Sequence, residues 1–407
     1  MKFKEFRIDE FANVVGGGTP SSAVEKYWNG DIPWITPNDL SNHPFKYISR
    51  GERNISELGL KESSAKMHPA NSVLLTTRAP IGYLAIAKYP VCTNQGFQSL
   101  ICDTNKVEPE FIYYILKLHK EGLEGFGSGA TFPEISNKKL KRYKLELPSL
   151  EIQKEVVNLL SPYDELIENN FHQIELLEES AQITFNDWFI KVKGLPRGWK
   201  ENNLGSLVGH EIGGGWGEEN QSNDFSEAAY VIRGTDIDEL PNGKLEKVPF
   251  RFHKKSNLAS RKLQDGDIVF EVSGGSHSEG VAKTLLITDE LLKQFNGDVM
   301  CASFCKLLRP ASRELSNFTF LFLRFLRAIG GTEVFEIRSA SNIVNYNWTA
   351  FLKFQKVKVP DEKTLEQFNE IINPIYKQIY NLGHQNRLLK EARDILLPRL
   401  MTGMIEV

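Results

Sequence analysis

The stretch from Ser149 to Phe189 limits what this chain can fold into more than any other, because its apolar residues recur at alternating steps of three and four and the pattern occurs twice. The positions are Val156, Leu160, Tyr163, Ile167, Ile174, Leu177, Ala181 and Trp188, with Asn170 and Thr184 in the two remaining places. Such spacing is a heptad seam along one face of a helix. Adding 212 to each number gives Phe368, Ile372, Ile375, Ile379, Leu382, Asn386, Leu389, Arg393, Leu396 and Leu400, a second seam without a gap. Ser161-Pro162 returns as Asn373-Pro374, the signature of an N-cap and first helical position after a kink or restart. A stripe this narrow cannot bury itself alone, so the two copies are expected to pack on each other as an antiparallel coiled coil. In that pairing Asn170 and Asn386 face each other near the level of residues 172 and 384, with Ile167, Ile174, Ile379 and Leu382 as apolar neighbours in the register. A buried polar pair costs stability and fixes register. His172 and His384 flank that level as helix-surface residues.

At 407 residues the chain is too long for one ordinary core, and two domains with connecting elements are expected. The most apolar run, Phe318 to Ile329, is interrupted by Arg324 and Arg327, and no signal-peptide pattern opens the chain, which points to the cytoplasm and away from a membrane. Cys92, Cys102, Cys301 and Cys305 show no CxxC spacing and read as reduced core residues. The overall charge of -3 hides a segregation: residues 149–190 carry -8 and residues 361–407 carry -1, which leaves +6 for the rest. Positive charge therefore sits outside the helices, where phosphate contacts would be sought.

Taken in order, the remainder repeats as well. Gly16 to Gly18 and the strand-like Ile32 to Thr36 are echoed by Gly213 to Gly215 and Tyr230 to Arg233; Ser72 to Thr77 is echoed by Asp267 to Val272; helical segments Phe111 to His119 and Phe318 to Ala328 follow. The offset grows from 197 to 212, so the second globular part holds about fifteen extra residues, an order of globule, helix, globule, helix. The fold class is α+β: two mixed α/β domains separated by an antiparallel two-helix coiled coil, as a pseudo-twofold internal repeat. The segments are 1–148, 149–195, 196–360 and 361–407, the first and third being the globules.

Neither triglycine fits GxxxxGK[ST] or a GxGxxG unit, so tight turns needing positive φ are favoured over a phosphate cradle. The loop residues Thr76, Thr77 and Arg78, with Arg78 able to fork onto a guanine, balance hairpin chemistry against DNA contact. The same holds for Ser273, Gly274, Gly275 and Ser276, for Ser128 and Thr131, and for Arg338, Ser341 and Asn342. Arg233 and Thr235 join these candidates. The basic run containing Lys138, Lys139 and Arg142, beside a small-residue loop, favours phosphate contacts. No GxSxG, HExxH, zinc-deaminase or methyltransferase tetrapeptide occurs, and the histidines and cysteines form no metal-ligand spacing, so the chain reads as a non-enzyme.

The pattern resembles one family over nearly its full length, the DNA-specificity subunits of Type I restriction-modification systems. Its carriers are Gly16-Gly17-Gly18-Thr19-Pro20 with Pro33-Trp34-Ile35, Leu147-Pro148-Ser149-Leu150-Glu151-Ile152-Gln153, and Trp188-Phe189 followed by Leu195-Pro196-Arg197-Gly198-Trp199. The ending Leu396-Leu397-Pro398-Arg399-Leu400-Met401-Thr402-Gly403 is also similar. Trp216 after the second triglycine and Asp361-Glu362-Lys363 before the second helix depart from it. The resemblance implies that each globule is a target-recognition domain reading one half of a bipartite, asymmetric double-stranded DNA target. Two modification subunits using S-adenosylmethionine to methylate adenine would dock on the helices, and restriction subunits using ATP and Mg would join them, with no cofactor held by this chain. A helix from Pro162 to Phe189 would span about 42 Å, against about 34–36 Å per turn between half-sites, so the helices can set the spacer. A fused restriction-and-methylation enzyme of the same architecture, or a protein-interaction scaffold, are the rival readings.

Overall fold

The computed structural model describes residues 2–41, 43–78, 80–128, 133–274, 280–338 and 343–407. Packing divides the chain into two units, residues 1–168 with 389–407 and residues 169–388, so that each unit owns a globule and part of both long helices.

In the first unit a five-stranded sheet runs in the order Ala12–Gly16, Gln98–Cys102, Val73–Thr77, Ile81–Ala87, Tyr47–Ile48. Leu100 sits between Val14 and Val73 in register. The helix Pro109–Leu118 begins with proline at its first position, where no N–H is needed, and buries Phe111, Ile112, Tyr114 and Ile115 with Val73, Leu75, Ile86 and Leu100. A second sheet holds Arg53–Ile55, Trp28–Ile35, Val91–Thr93 and Met67–His68. Lys4–Arg7 and Lys144–Leu147 pair directly before the first long helix.

The second unit repeats this plan. Val208–Gly213, Cys305–Pro310, Ile268–Glu271 and Thr284–Leu286 form one sheet, and Phe250–His253, Glu227–Ile232 and Asp298–Cys301 another. Lys200–Asn203 pairs Lys356–Val359. The helix Leu315–Ala328 takes the place of Pro109–Leu118.

The triglycines behave alike and differ from the expected turn. None of their φ angles is positive. Gly17 and Gly18 donate to the carbonyls of Phe97 and Thr93, and Gly214 and Gly215 to those of Cys305 and Cys301. A Cβ at Gly17 or Gly214 would collide with backbone carbonyls. Close strand approach is therefore what requires glycine, and these four N–H groups are already committed to backbone partners.

The long helices are Leu150–Phe185, followed by a π-helical turn Asn186–Ile190, and Glu362–Met401. Pro162 and Pro374 lie inside them, so neither helix restarts at its proline. The residues before the prolines serve another purpose than capping. Ser161 donates to Glu110 and accepts from Lys46, whose ammonium is almost fully buried. At the equivalent position Asn373 accepts from Asn317 at 2.7 Å. Each helix is thus fixed to its globule by a polar contact at the proline step, charged in one unit and neutral in the other.

Within each unit the helices run antiparallel. In the first, Val156 and Leu160 share a core with Leu397, Leu400 and Met401, and Arg393 donates to Asp164 at 2.5 Å. In the second, Ile174, Ala181, Phe185 and Phe189 pack with Leu365, Phe368, Ile372 and Ile379, the rings of Phe189 and Phe368 lying 4.7 Å apart. The seam departs from the heptad at its end: Phe185 and Phe189 are buried where Thr184 and Trp188 were expected, and Thr184 bonds back to the Ser180 carbonyl. The shift is already present at Phe185, ahead of the π-helical turn Asn186–Ile190.

Ile167, Ile174, Ile379 and Leu382 are buried as the register requires, and so are Asn170 and Asn386. Counting back 19 residues from Phe189 reaches Asn170, and forward 18 from Phe368 reaches Asn386, so the ring contact sets both amides at one level. No hydrogen bond joins them, and both polar atoms of Asn386 are buried without a partner.

Two outcomes follow from these buried polar groups. Asn386→Leu should raise stability by about 1–3 kcal/mol, the cost of an unsatisfied buried amide, read as a higher midpoint in thermal or urea unfolding. A lower midpoint would mean that the amide contributes favourably. The Glu110 carboxyl is raised by burial, yet hydrogen bonds from Lys46, Ser161 and Tyr47 outweigh this and hold it below its ordinary 4.5. Being depressed, it contributes stability in full above 4.5, and that contribution disappears as pH falls through the folded value. Glu110→Gln should cost about 3–5 kcal/mol at neutral pH by stranding Lys46, and should flatten the acid limb of the stability profile.

Candidate nucleic-acid interface

In the first unit two segments far apart in sequence meet at residue 134. Ser128 and Glu134 exchange both backbone hydrogen bonds at 3.0 Å, and Arg78 bridges Glu134 from the other side. Arg78 and Ser128 are both exposed there. Thr76 and Thr77 are not part of that surface. Both are buried; Thr76 accepts from the Tyr83 N–H through its hydroxyl, while the Thr77 backbone bonds Gly96 and Ile135. Every residue of the strand Val73–Thr77 is buried, so alternation gave no face to choose from. Thr131 lies outside the described residues.

The basic run forms the helix Asn137–Lys141, capped by Ser136. Lys138 and Arg142 are exposed, whereas Lys139 donates to the Phe126 carbonyl at 3.0 Å and lies over that ring. Two of the three predicted cations therefore remain on the surface.

The second unit assembles the matching ribbon. Ser273–Gly274 pairs Val344–Tyr346, which pairs Glu336–Arg338. The Ser273 hydroxyl donates to Asn345 at 2.8 Å, and exposed Arg338 reaches Glu336 at 3.3 Å. Gly275, Ser276, Ser341 and Asn342 lie outside the described residues. Thr235 is exposed on the turn Gly234–Asp236. Arg233 is not free for a base: it forks onto buried Asp236 at 2.9 and 2.7 Å and donates to the Lys247 carbonyl. The Glu271 carboxyl lies close to Gly274 and is pushed up by burial against the pull of Lys283.

Two arginine platforms escaped the sequence reading. The Arg53 guanidinium lies over Trp28, 3.6 Å from the ring centroid, and the residue is exposed. Arg251 lies 4.9 Å from the centroid of Trp216 but is neutralised by Glu219 at 2.7 Å. Cation and indole are 25 and 35 residues apart in sequence, and only the pairing of neighbouring strands and loops joins them. The exposed, stacked guanidinium of Arg53 is the geometry that suits planar anion recognition.

Each unit thus carries a ribbon with basic and hydroxyl groups at its edge on a repeated mixed sheet. Residues 1–179 match the family model described as the Type I restriction modification DNA specificity domain. The chain is 32% identical to the Type I restriction enzyme MjaIX specificity subunit of Methanocaldococcus jannaschii over 423 residues, covering 98% of this chain and 93% of that one. It is 29% identical over 178 residues to the EcoR124I/EcoR124II specificity subunit of Escherichia coli, 41% of this chain and 43% of the relative. The crystal structure of a Type-I restriction-modification system S subunit from M. genitalium shares the fold, with a TM-score of 0.59 at 17% identity over 98% and 96% of the two chains. The chain belongs to the type I restriction enzyme specificity subunits. It is the DNA-recognising component of such a system, which works together with other subunits. No helix among the described residues is long and apolar enough to cross a membrane.

Arg233→Ala should cost about 1.5–3 kcal/mol of stability, because Asp236 loses its charged donor, while leaving the recognised DNA sequence unchanged. Unfolding midpoints and methylated-motif sequencing check both parts; an altered motif with unchanged stability would return Arg233 to the reading surface.

Proposed function

We propose that each unit reads one half of a bipartite, asymmetric DNA sequence at its ribbon, Arg78 and Ser128 in the first unit and Ser273, Gly274 and Arg338 in the second. The observation that carries this reading is the repeat itself: one scaffold presents unlike side chains at equivalent edges. Lys138 and Arg142 supply phosphate contacts, which position the duplex without reading it. Thr235 stands at an exposed turn and is assigned to the same surface.

Two methyltransferase subunits dock on the helices, one at each unit. Leu159 and Ile395 are exposed in the first unit, Ile183 and Ile371 in the second. Adding 212 to 159 gives 371, and to 183 gives 395, so the two apolar pairs are related by the repeat. Exposed apolar side chains on a helix surface that recur by symmetry support partner contact rather than chance exposure. The partners bring S-adenosylmethionine for adenine methylation, and restriction subunits bring ATP and Mg; this chain supplies the address and, through its helices, the spacer length.

Exchanging residues 1–148 for the corresponding segment of another specificity subunit tests the division. Sequencing of adenine methylation in cells expressing the hybrid with its partners should show one half of the motif changed and the other retained. A change in both halves would refute the assignment of one half-site to each unit.

A further inference from the structure

In the second unit the strands Asp298–Cys301 and Cys305–Pro310 belong to different sheets and are joined by a tight turn whose last residue is Phe304. The residue is 56% exposed, and no aromatic ring or cation among the described residues stacks on its ring. The backbone beneath it is held firmly. Val272 and Ser273 both donate to the Phe304 carbonyl, at 2.9 and 3.2 Å, and Cys305 donates to Ala302 at 2.8 Å. The turn that carries the ring is therefore fixed to the first strand of the ribbon.

The internal repeat supplies a control. Gly18 bonds Thr93 as Gly215 bonds Cys301, Gly17 bonds Phe97 as Gly214 bonds Cys305, and Thr77 bonds Gly96 as Val272 bonds Phe304. These matched contacts place Gly96 where the second unit has Phe304. A side chain at Gly96 would press on Pro37 and Asn94, so the first unit is built without a projection there, whereas the second carries a large apolar one into solvent. An exposed phenylalanine on a rigid turn beside a DNA-reading edge has the chemistry of the apolar wedges that enter a base step and part its stack.

We propose that Phe304 inserts at a base step of the half-site read by the second unit and stacks on the bases it parts, an action the first unit lacks. This rests on the reading of each unit as a half-site reader. Its consequence is an asymmetry of mechanism: a base to be methylated must leave the stack, and one half-site is loosened by the specificity subunit itself.

The test uses the full chain assembled with its methyltransferase partners and duplexes carrying the target, with 2-aminopurine placed in turn along each half-site. Away from the methylated adenine of each half-site, where extrusion of the base itself raises the signal, the wild-type complex should raise the fluorescence at one step of the second half-site and at none of the first. Phe304→Gly should abolish that rise and weaken binding by roughly 5- to 150-fold, the range of one aromatic–base stack, with the thermal midpoint unchanged. Phe304→Trp should retain both properties. Unchanged affinity and fluorescence in Phe304→Gly would overturn the wedge. A wild-type complex that fails to bind its methylated motif would instead overturn the half-site reading, and the wedge with it.

Discussion

The constraint on which the rest depends is the burial of two narrow helical stripes that neither helix can hide alone. In each unit the stripe of one long helix packs on the other and on the globule together, so the globule's orientation on its helices is fixed by one shared core. The second unit shows this most plainly: Phe185 and Phe189 meet Phe318 of the globular helix and Phe368 of the partner helix in one aromatic cluster. Apolar packing alone is non-directional. Direction comes from the polar contacts at the proline steps, Ser161 with Glu110 and Lys46 in one unit, Asn373 with Asn317 in the other.

Those two contacts occupy equivalent places and use different chemistry. Glu110 and Asn317 sit near the starts of equivalent helices, Pro109–Leu118 and Leu315–Ala328. A buried ion pair must be complete to be tolerable, whereas an amide pair carries no net charge. The repeat thus preserves where the helix is held while letting the means diverge. The ribbon edges follow the same rule: strand pairing around Glu134 returns around Val344, with different side chains.

The sequence made the seam, the antiparallel pairing and the globule-helix repeat legible, because each depends on spacing, and spacing survives without coordinates. What it hid has local physical causes. Near the end of the first long helix burial falls one position later than the heptad places it, on Phe185 and Phe189 instead of Thr184 and Trp188. The strand Val73–Thr77 is buried on both faces, so Thr76 and Thr77 looked available when they were not. Arg233 resembled a reading residue until the turn after it brought Asp236 within reach. Arg53 over Trp28 and the exposure of Phe304 depend on strand neighbours and turn geometry that no periodicity records. Asn170 and Asn386 are both buried in the seam, but burial does not dictate side-chain orientation, and the Asn386 amide is left without a partner.

The central claim is that unlike edges on a repeated scaffold read unlike half-sites across a fixed spacer. Mapping methylated adenines across a genome in cells that carry this chain with its partner subunits tests it most directly. The account predicts one bipartite motif with two different halves and a methylated adenine in each. A palindromic motif, or one contiguous block of specified bases, would contradict it.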